Sequence, residues 1–273
     1  MRVREYRKKG VYLIPNLFTT GNLFSGFYAI IAVFNADFIL ASIAILVSSV
    51  FDALDGMVAR FTKAPSRFGV EYDSLADLVS FGVAPGLLIY SWALSSYGRI
   101  GWVAAFLFVA CGTLRLARFN VQILTVESKR FVGLPIPAAA SMVATLVILD
   151  NYILTMGREI RPLVILVMTY GLAFLMVSSI PYRSLKDFNL RDRRPFHFLV
   201  GTVLILIMVA AEPKVLLFVI FTLYTLSGLI ERPLVALHHR FFRKALTKNE
   251  GNEVEESDFE DFEDLEDREI FIK

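Results

Sequence analysis

Apolar residues in this chain are gathered into long runs separated by short polar or charged stretches. Eight runs, at roughly 11–34, 38–56, 73–94, 98–119, 134–156, 161–181, 196–212 and 214–231, approach or reach the length that crosses about 30 Å of hydrocarbon as a helix. The pattern predicts an all-α fold, a polytopic membrane helix bundle of eight transmembrane helices. Its least marked division is at Ala211, Glu212, Pro213 and Lys214, where a short polar turn separates two runs near the lower length limit. Without that turn, one long tilted or re-entrant segment replaces a hairpin. The first run opens with Asn16, Thr19, Thr20 and Asn22, a cluster too polar to face lipid, so these turns are expected to face the bundle interior. A whole bundle follows this first run, which therefore does not read as a cleaved signal peptide.

Composition agrees: 56% hydrophobic against 20% charged residues in 273 positions excludes an ordinary water-soluble globule. Charge adds an orientation. Of the Lys and Arg residues before position 249, 22 fall on one side of the predicted membrane, in the N-terminal segment and in alternate loops, and the other side has four: Arg99, Arg158, Arg161 and Lys214. By the positive-inside rule both termini are cytoplasmic, and the cell membrane is the expected location. The last 25 residues contain 12 acids against Arg268 and Lys273, and like-charge repulsion there favours a solvated tail. Topology accounts for the positive charge of the rest, and no basic region is interleaved with exposed stacking aromatics, so nucleic acid is not an expected partner. The single cysteine, Cys111, sits in an apolar run and reads as a buried thiol. His197, His238 and His239 lie far along the chain from the polar chemistry described next and read as surface or juxtamembrane residues.

That chemistry lies in DALDGMVARFTKAPSRFGVEYDSLAD, residues 52–77. Asp52 and Asp55 stand three apart at the cytoplasmic end of the second run, and Asp73 and Asp77 four apart at the start of the third. Each pair shares a helical face. Pro65 interrupts the helices between them, so the chain can turn back and oppose the pairs. Four carboxylates at a membrane face repel one another and resist ionisation unless cations hold them. Oxygen ligands without nearby His or Cys favour Mg2+ or Mn2+ over zinc, and four carboxylates can hold two such ions about 4 Å apart with positions left for phosphate oxygens. Gly56 removes a side chain where a ligand could approach the backbone, Ala59 keeps the face shallow, and Gly69 could serve the second helix similarly. Asp77, a turn deeper than Asp73, is the positional candidate for a general base. A divalent cation or proton transporter is the competing reading; it needs acids continuing across the membrane, and Asp150 alone is available.

At these residues the sequence resembles the CDP-alcohol phosphatidyltransferase family. Asp52, Asp55, Gly56, Ala59, Arg60, Gly69, Asp73 and Asp77 fill every position of that family's fixed-spacing pattern. The resemblance implies a six-helix core over about 11–190, after a basic segment 1–10 and before two additional helices in 191–232 and a tail at 233–273 that is acidic from 250. It implies that Asp52, Asp55, Asp73 and Asp77 hold two divalent ions, with Asp77 also the general base. It implies further that Gly56, Ala59 and Arg60 line the pocket for the cytidine diphosphate portion of a lipid, that CMP is released, and that the chain forms a homodimer.

Three segments, PNLFTTGNLFSGF at 15–27, RLARFN at 115–120 and GLPIPAA at 133–139, resemble the phosphatidylserine synthase branch of the family, as does the pair of extra helices. The substrates so implied are CDP-diacylglycerol and L-serine, with membrane lipids around them. Arg115 and Arg118 could pair the serine carboxylate or steady the diphosphate, or could anchor the helix end at head groups. Asn16 and Thr19 could reach the nucleotide or bond across helices. Glycerol 3-phosphate or an inositol phosphate remains an alternative acceptor, with Arg183, Arg193 and Arg194 available for a second phosphate.

Overall fold

A computed structural model describes residues 13–62, 67–125, 131–157, 160–182 and 210–229, with the single positions 200, 203 and 208. Its helices are α1 (Leu13–Phe34), α2 (Phe38–Thr62), α3 (Arg67–Asp77), α4 (Ala84–Ile89), α5 (Arg99–Thr125), α6 (Ile136–Leu149) and α7 (Ile160–Val177), followed by α8 (Pro213–Leu229). Wide π-helical turns at Leu78–Val83 and Tyr90–Leu94 join α3 and α4 into one span, Phe68–Tyr97, and a third at Asp150–Leu154 extends α6. The departures from helical structure are small: β1 (Phe131–Val132) pairs antiparallel with β2 (Pro181–Tyr182).

Six described helices are long and apolar enough to cross a membrane. The chain is a multi-pass membrane protein with an all-α bundle. The expected count of eight is not reached among the described residues: α8 is an apolar helix shorter than those six, and the run at 196–212 falls mostly outside the described residues. The polar turn is visible as a break at Glu212 before Pro213, where proline lacks the N–H a continuous helix needs. Helix α3, which opens the third span, begins at Arg67, six residues before the expected 73. Its first turns are amphipathic rather than apolar, so a search for apolar runs passes over them.

Local chemistry explains the junctions. Between α1 and α2 the Asp37 carboxylate accepts from the Leu40 backbone N–H at 3.0 Å, an N-cap for α2. Pro85 cannot donate to the carbonyl four residues before it, and just ahead of it the helix widens, with the Ala84 N–H reaching back to the Val79 carbonyl. Gly133 has φ +87, and its N–H donates to the Ile180 carbonyl at 2.8 Å while that of Leu134 donates to Leu175 at 3.0 Å. The GLPIPAA segment is thus a left-handed turn pinned to the end of α7 before Pro135 launches α6.

The core is rich in small residues, with Ala29, Ala41, Ala84, Ala104, Ala139, Ala140 and Ala144 fully enclosed around Phe81, Phe108 and Leu88. Small side chains let helix backbones approach, which is how membrane helices gain packing energy where lipid is as apolar as leucine. At Gly26 of α1 a Cβ would stand 2.6 Å from Cα of Ser80, so glycine allows α1 to lie against the third span. Phe24, Phe27, Phe34, Trp102, Phe106 and Phe174 point outwards, as lipid-facing side chains do.

Candidate active site

α1 packs on both α2 and the start of the third span, and the aspartates of those two helices come together. Oxygens of Asp52, Asp73 and Asp77 lie within 4.8 Å of one another. Asp52 and Asp73 are half-buried and Asp77 is buried. Asp73 feels the like charges of Asp52 and Asp55, and Asp77 those of Asp52 and Asp73. Asp55, also buried, is drawn aside by α1: its carboxylate accepts a hydrogen bond from the Thr19 hydroxyl. Three of the four aspartates therefore share one cluster, and the fourth stands beside it on the same helix as Asp52.

The cluster fits a hard divalent cation. Its donors are all carboxylate oxygens, and Oδ1 of Asp73 is buried without a hydrogen-bond partner, a costly state for a polar atom that a cation would relieve. Gly56, next to Asp55, opens onto space: a Cβ there would meet nothing within 4 Å. Ala59 and Arg60 continue α2 one turn further, and Gly69 lies in the first turn of α3; the side chains of Ala59 and Arg60 fall outside the described residues. Asn16 sits one turn before Thr20, whose hydroxyl donates to the Asn16 carbonyl at 2.7 Å and pairs with Tyr72 at 3.0 Å.

Two residues gain roles that the sequence alone did not assign. Asn22, fully buried, donates from Nδ2 to Oδ1 of Asp77 at 2.9 Å, and its backbone carbonyl accepts from the hydroxyls of Ser48 and Ser80 at 3.0 Å each. One α1 residue thus ties α2 and the third span together and fixes the rotation of Asp77. Its place in a polar cluster within an apolar run was the available signal. Asn120, the last residue of RLARFN, exchanges hydrogen bonds with Ser74, the neighbour of Asp73.

The two arginines separate. Arg118 donates to the carbonyls of Val177 at 3.0 Å and Ser178 at 3.5 Å, closing the C-terminal end of α7 as cations often do, so its guanidinium is committed to backbone rather than to the cluster. Arg115 is 8% exposed, its Nε has no hydrogen-bond partner, and it lies in the field of Asp77, Tyr224 and Asp52. The Tyr182 phenol is pushed up to about 12 by burial and by Tyr224. Asp150 is far from this chemistry. At 1% exposure it pairs with Arg161 at 3.0 Å and accepts from the Met156 N–H at 2.7 Å, and Arg161 in turn covers the Trp92 ring at 5.3 Å. These partners make it a structural contact at the other end of α6, about 21 Å of helix from Ile136, with no chain of acids leading to it among the described residues.

Comparison with known proteins bears on this arrangement. Residues 12–177 match the family model described as CDP-alcohol phosphatidyltransferase. A Helicobacter pylori protein named CDP-diacylglycerol–serine O-phosphatidyltransferase is 39% identical over 223 residues, 81% of this chain and 91% of that one. A Bacillus subtilis protein of the same name is 38% identical over 175 residues, 63% of this chain and 91% of its own. An archaetidylserine synthase of Methanothermobacter thermautotrophicus is 39% identical over 171 residues, 62% of this chain and 69% of that protein.

Proposed function

The chain belongs to the CDP-alcohol phosphatidyltransferase family, and from that premise we propose that it transfers the phosphatidyl group of CDP-diacylglycerol to the hydroxyl of L-serine, giving phosphatidylserine and CMP. The observation that carries this reading is the convergence of Asp52, Asp73 and Asp77 from two helices, in the field of a cation, Arg115, that remains uncommitted to backbone among the described residues. Relatives named for serine transfer support the choice of alcohol.

In this reading Asp52, Asp73 and Asp77 hold Mg2+ or Mn2+, two ions per chain, with Asp55 as the fourth ligand. When bound, the metal supplies positive charge against the diphosphate and the departing CMP. Gly56, Ala59 and Arg60 receive the cytidine diphosphate, with Asn16 and Thr19 on the facing helix. Asp77 accepts the serine hydroxyl proton. Asn22 engages Oδ1 of Asp77, which fixes the rotation of the carboxylate. The site opens to the cytoplasm, both termini lie there, and the chain works as a homodimer in the cell membrane; the 22 to 4 distribution of basic residues supports the orientation.

The test is CMP release by the purified protein in detergent with CDP-diacylglycerol and Mn2+, each alcohol offered in turn. Serine-dependent release that disappears on chelation and returns with Mn2+ or Mg2+ is expected. Release with glycerol 3-phosphate or an inositol phosphate but not serine moves the assignment to that acceptor, and cation flux without nucleotide dependence would replace the reading altogether.

A further inference from the structure

The contacts of α8 bear on the acceptor side of the site. Tyr182, at the end of β2 and 2% exposed, donates its hydroxyl to the Thr225 carbonyl at 3.0 Å. Its ring centroid lies 5.8 Å from that of Tyr224, tilted by 42°. One turn further along α8, Gly228 makes room for the same ring: a Cβ there would stand 2.9 Å from Cε2 of Tyr182 and nearer still to other ring atoms. Tyr182 therefore acts as a wedge that sets the height and rotation of α8 against the core. That placement holds Tyr224 within electrostatic range of Arg115. Arg115 carries a buried Nε–H with no partner, a costly state for a donor removed from water. A ligand oxygen would meet it.

We propose that α8, which lies beyond the segment matched by the family model, completes the acceptor side of the active site, and that Tyr224 is a recognition residue that holds the carboxylate of the incoming alcohol together with Arg115. This rests on serine being the acceptor. The aspartate motif belongs to chemistry that a whole family of alcohols shares, so selection among alcohols needs groups outside it. A phenol and a guanidinium within electrostatic range of one another on two helices can offer a carboxylate one neutral and one charged donor. Tyr182 and Gly228 are positioning residues in this scheme, and they act through α8.

Kinetics of CMP release by the full chain in detergent, with serine and CDP-diacylglycerol each varied, test the assignment. Tyr224→Phe keeps the ring against Tyr182 and removes the hydroxyl alone. The expected result is a KM for serine raised on the order of tenfold, the range of one lost hydrogen bond to a charged group, with KM for CDP-diacylglycerol and kcat at saturating serine within about twofold of wild type. Gly228→Ala should give the same signature by displacing α8. A serine KM unchanged in Tyr224→Phe overturns the proposal. So does a parallel rise in both KM values, which marks a general structural role. Absence of serine-dependent release by the wild type fails the underlying reading instead, and the two failures are told apart by that control.

Discussion

Asn22 shows how much of a site can depend on a residue that need not touch substrate. Its amide holds Oδ1 of Asp77, and its carbonyl collects hydroxyls from α2 and the third span. Removing the side chain frees the Asp77 carboxylate to rotate but leaves both serine contacts to the backbone in place. Asn22→Ala should therefore lower kcat by about 10- to 100-fold, in line with losing a hydrogen bond to a charged group, while the protein still elutes from size exclusion as wild type. Asp77→Asn should cost more, about 100- to 10,000-fold for a lost general base, with CDP-diacylglycerol still protecting the variant from thermal unfolding. Single-turnover measurements separate the two: equal losses in both variants would deny Asn22 a merely orienting role. The carboxylates themselves were legible in the sequence because their spacing of three and four declares a shared face. The Asn22 contact was not, because pattern alone places it only inside the bundle and cannot say which of several acids it meets.

Helices carry the next level of argument. The starts of α1, α2, α5 and α7 follow the apolar runs to within a few residues, since a run of lipid-compatible side chains is itself the cause of the span, while α2 and α5 each continue six residues past the end of their runs. The start of the third span was missed because Arg67–Asp77 is polar on one side, and that polar side is where Asp73 and Asp77 project. The same effect separates Arg118 from Arg115: three residues apart on α5, they read alike in sequence, but α7 ends beside Arg118 and takes it for its last carbonyls. Arg118→Ala should accordingly lower stability by about 1–3 kcal/mol, read as a drop of several degrees in Tm in detergent, with the KM for serine unchanged at a temperature where the variant is folded. A large rise in that KM with no change in Tm would return Arg118 to the substrate pocket. GLPIPAA belongs to the same scale: the segment resembles a branch signature, yet its positive-φ Gly133 and its two backbone hydrogen bonds to the end of α7 are a device for joining helices.

At the scale of the whole molecule, the aspartate cluster, Arg115, the Arg118 contacts and the β1–β2 pair all lie at one end of the bundle, and the Asp150–Arg161–Trp92 contacts lie at the other. One end is built to hold charge and the other to neutralise its own. A soluble head group and a released nucleotide can be exchanged only at a surface facing the compartment that supplies them, so the membrane orientation decides which compartment the reaction serves. The basic residues favour the cluster end on the cytoplasmic side because moving them across costs more than leaving them. A reporter inserted after Ala36, in the turn between α1 and α2, should then be active only outside, and one inserted after Lys63 only inside. Labelling of single cysteines introduced at the same two positions, in intact cells with a membrane-impermeant thiol reagent and with Cys111 replaced by Ser, gives an independent reading: Ala36→Cys should react and Lys63→Cys should not until the cells are opened. Reaction of both from outside would place the two ends of α2 on one face, which a helix of 25 residues crossing the bilayer does not allow, and would require α2 to lie along the membrane surface instead.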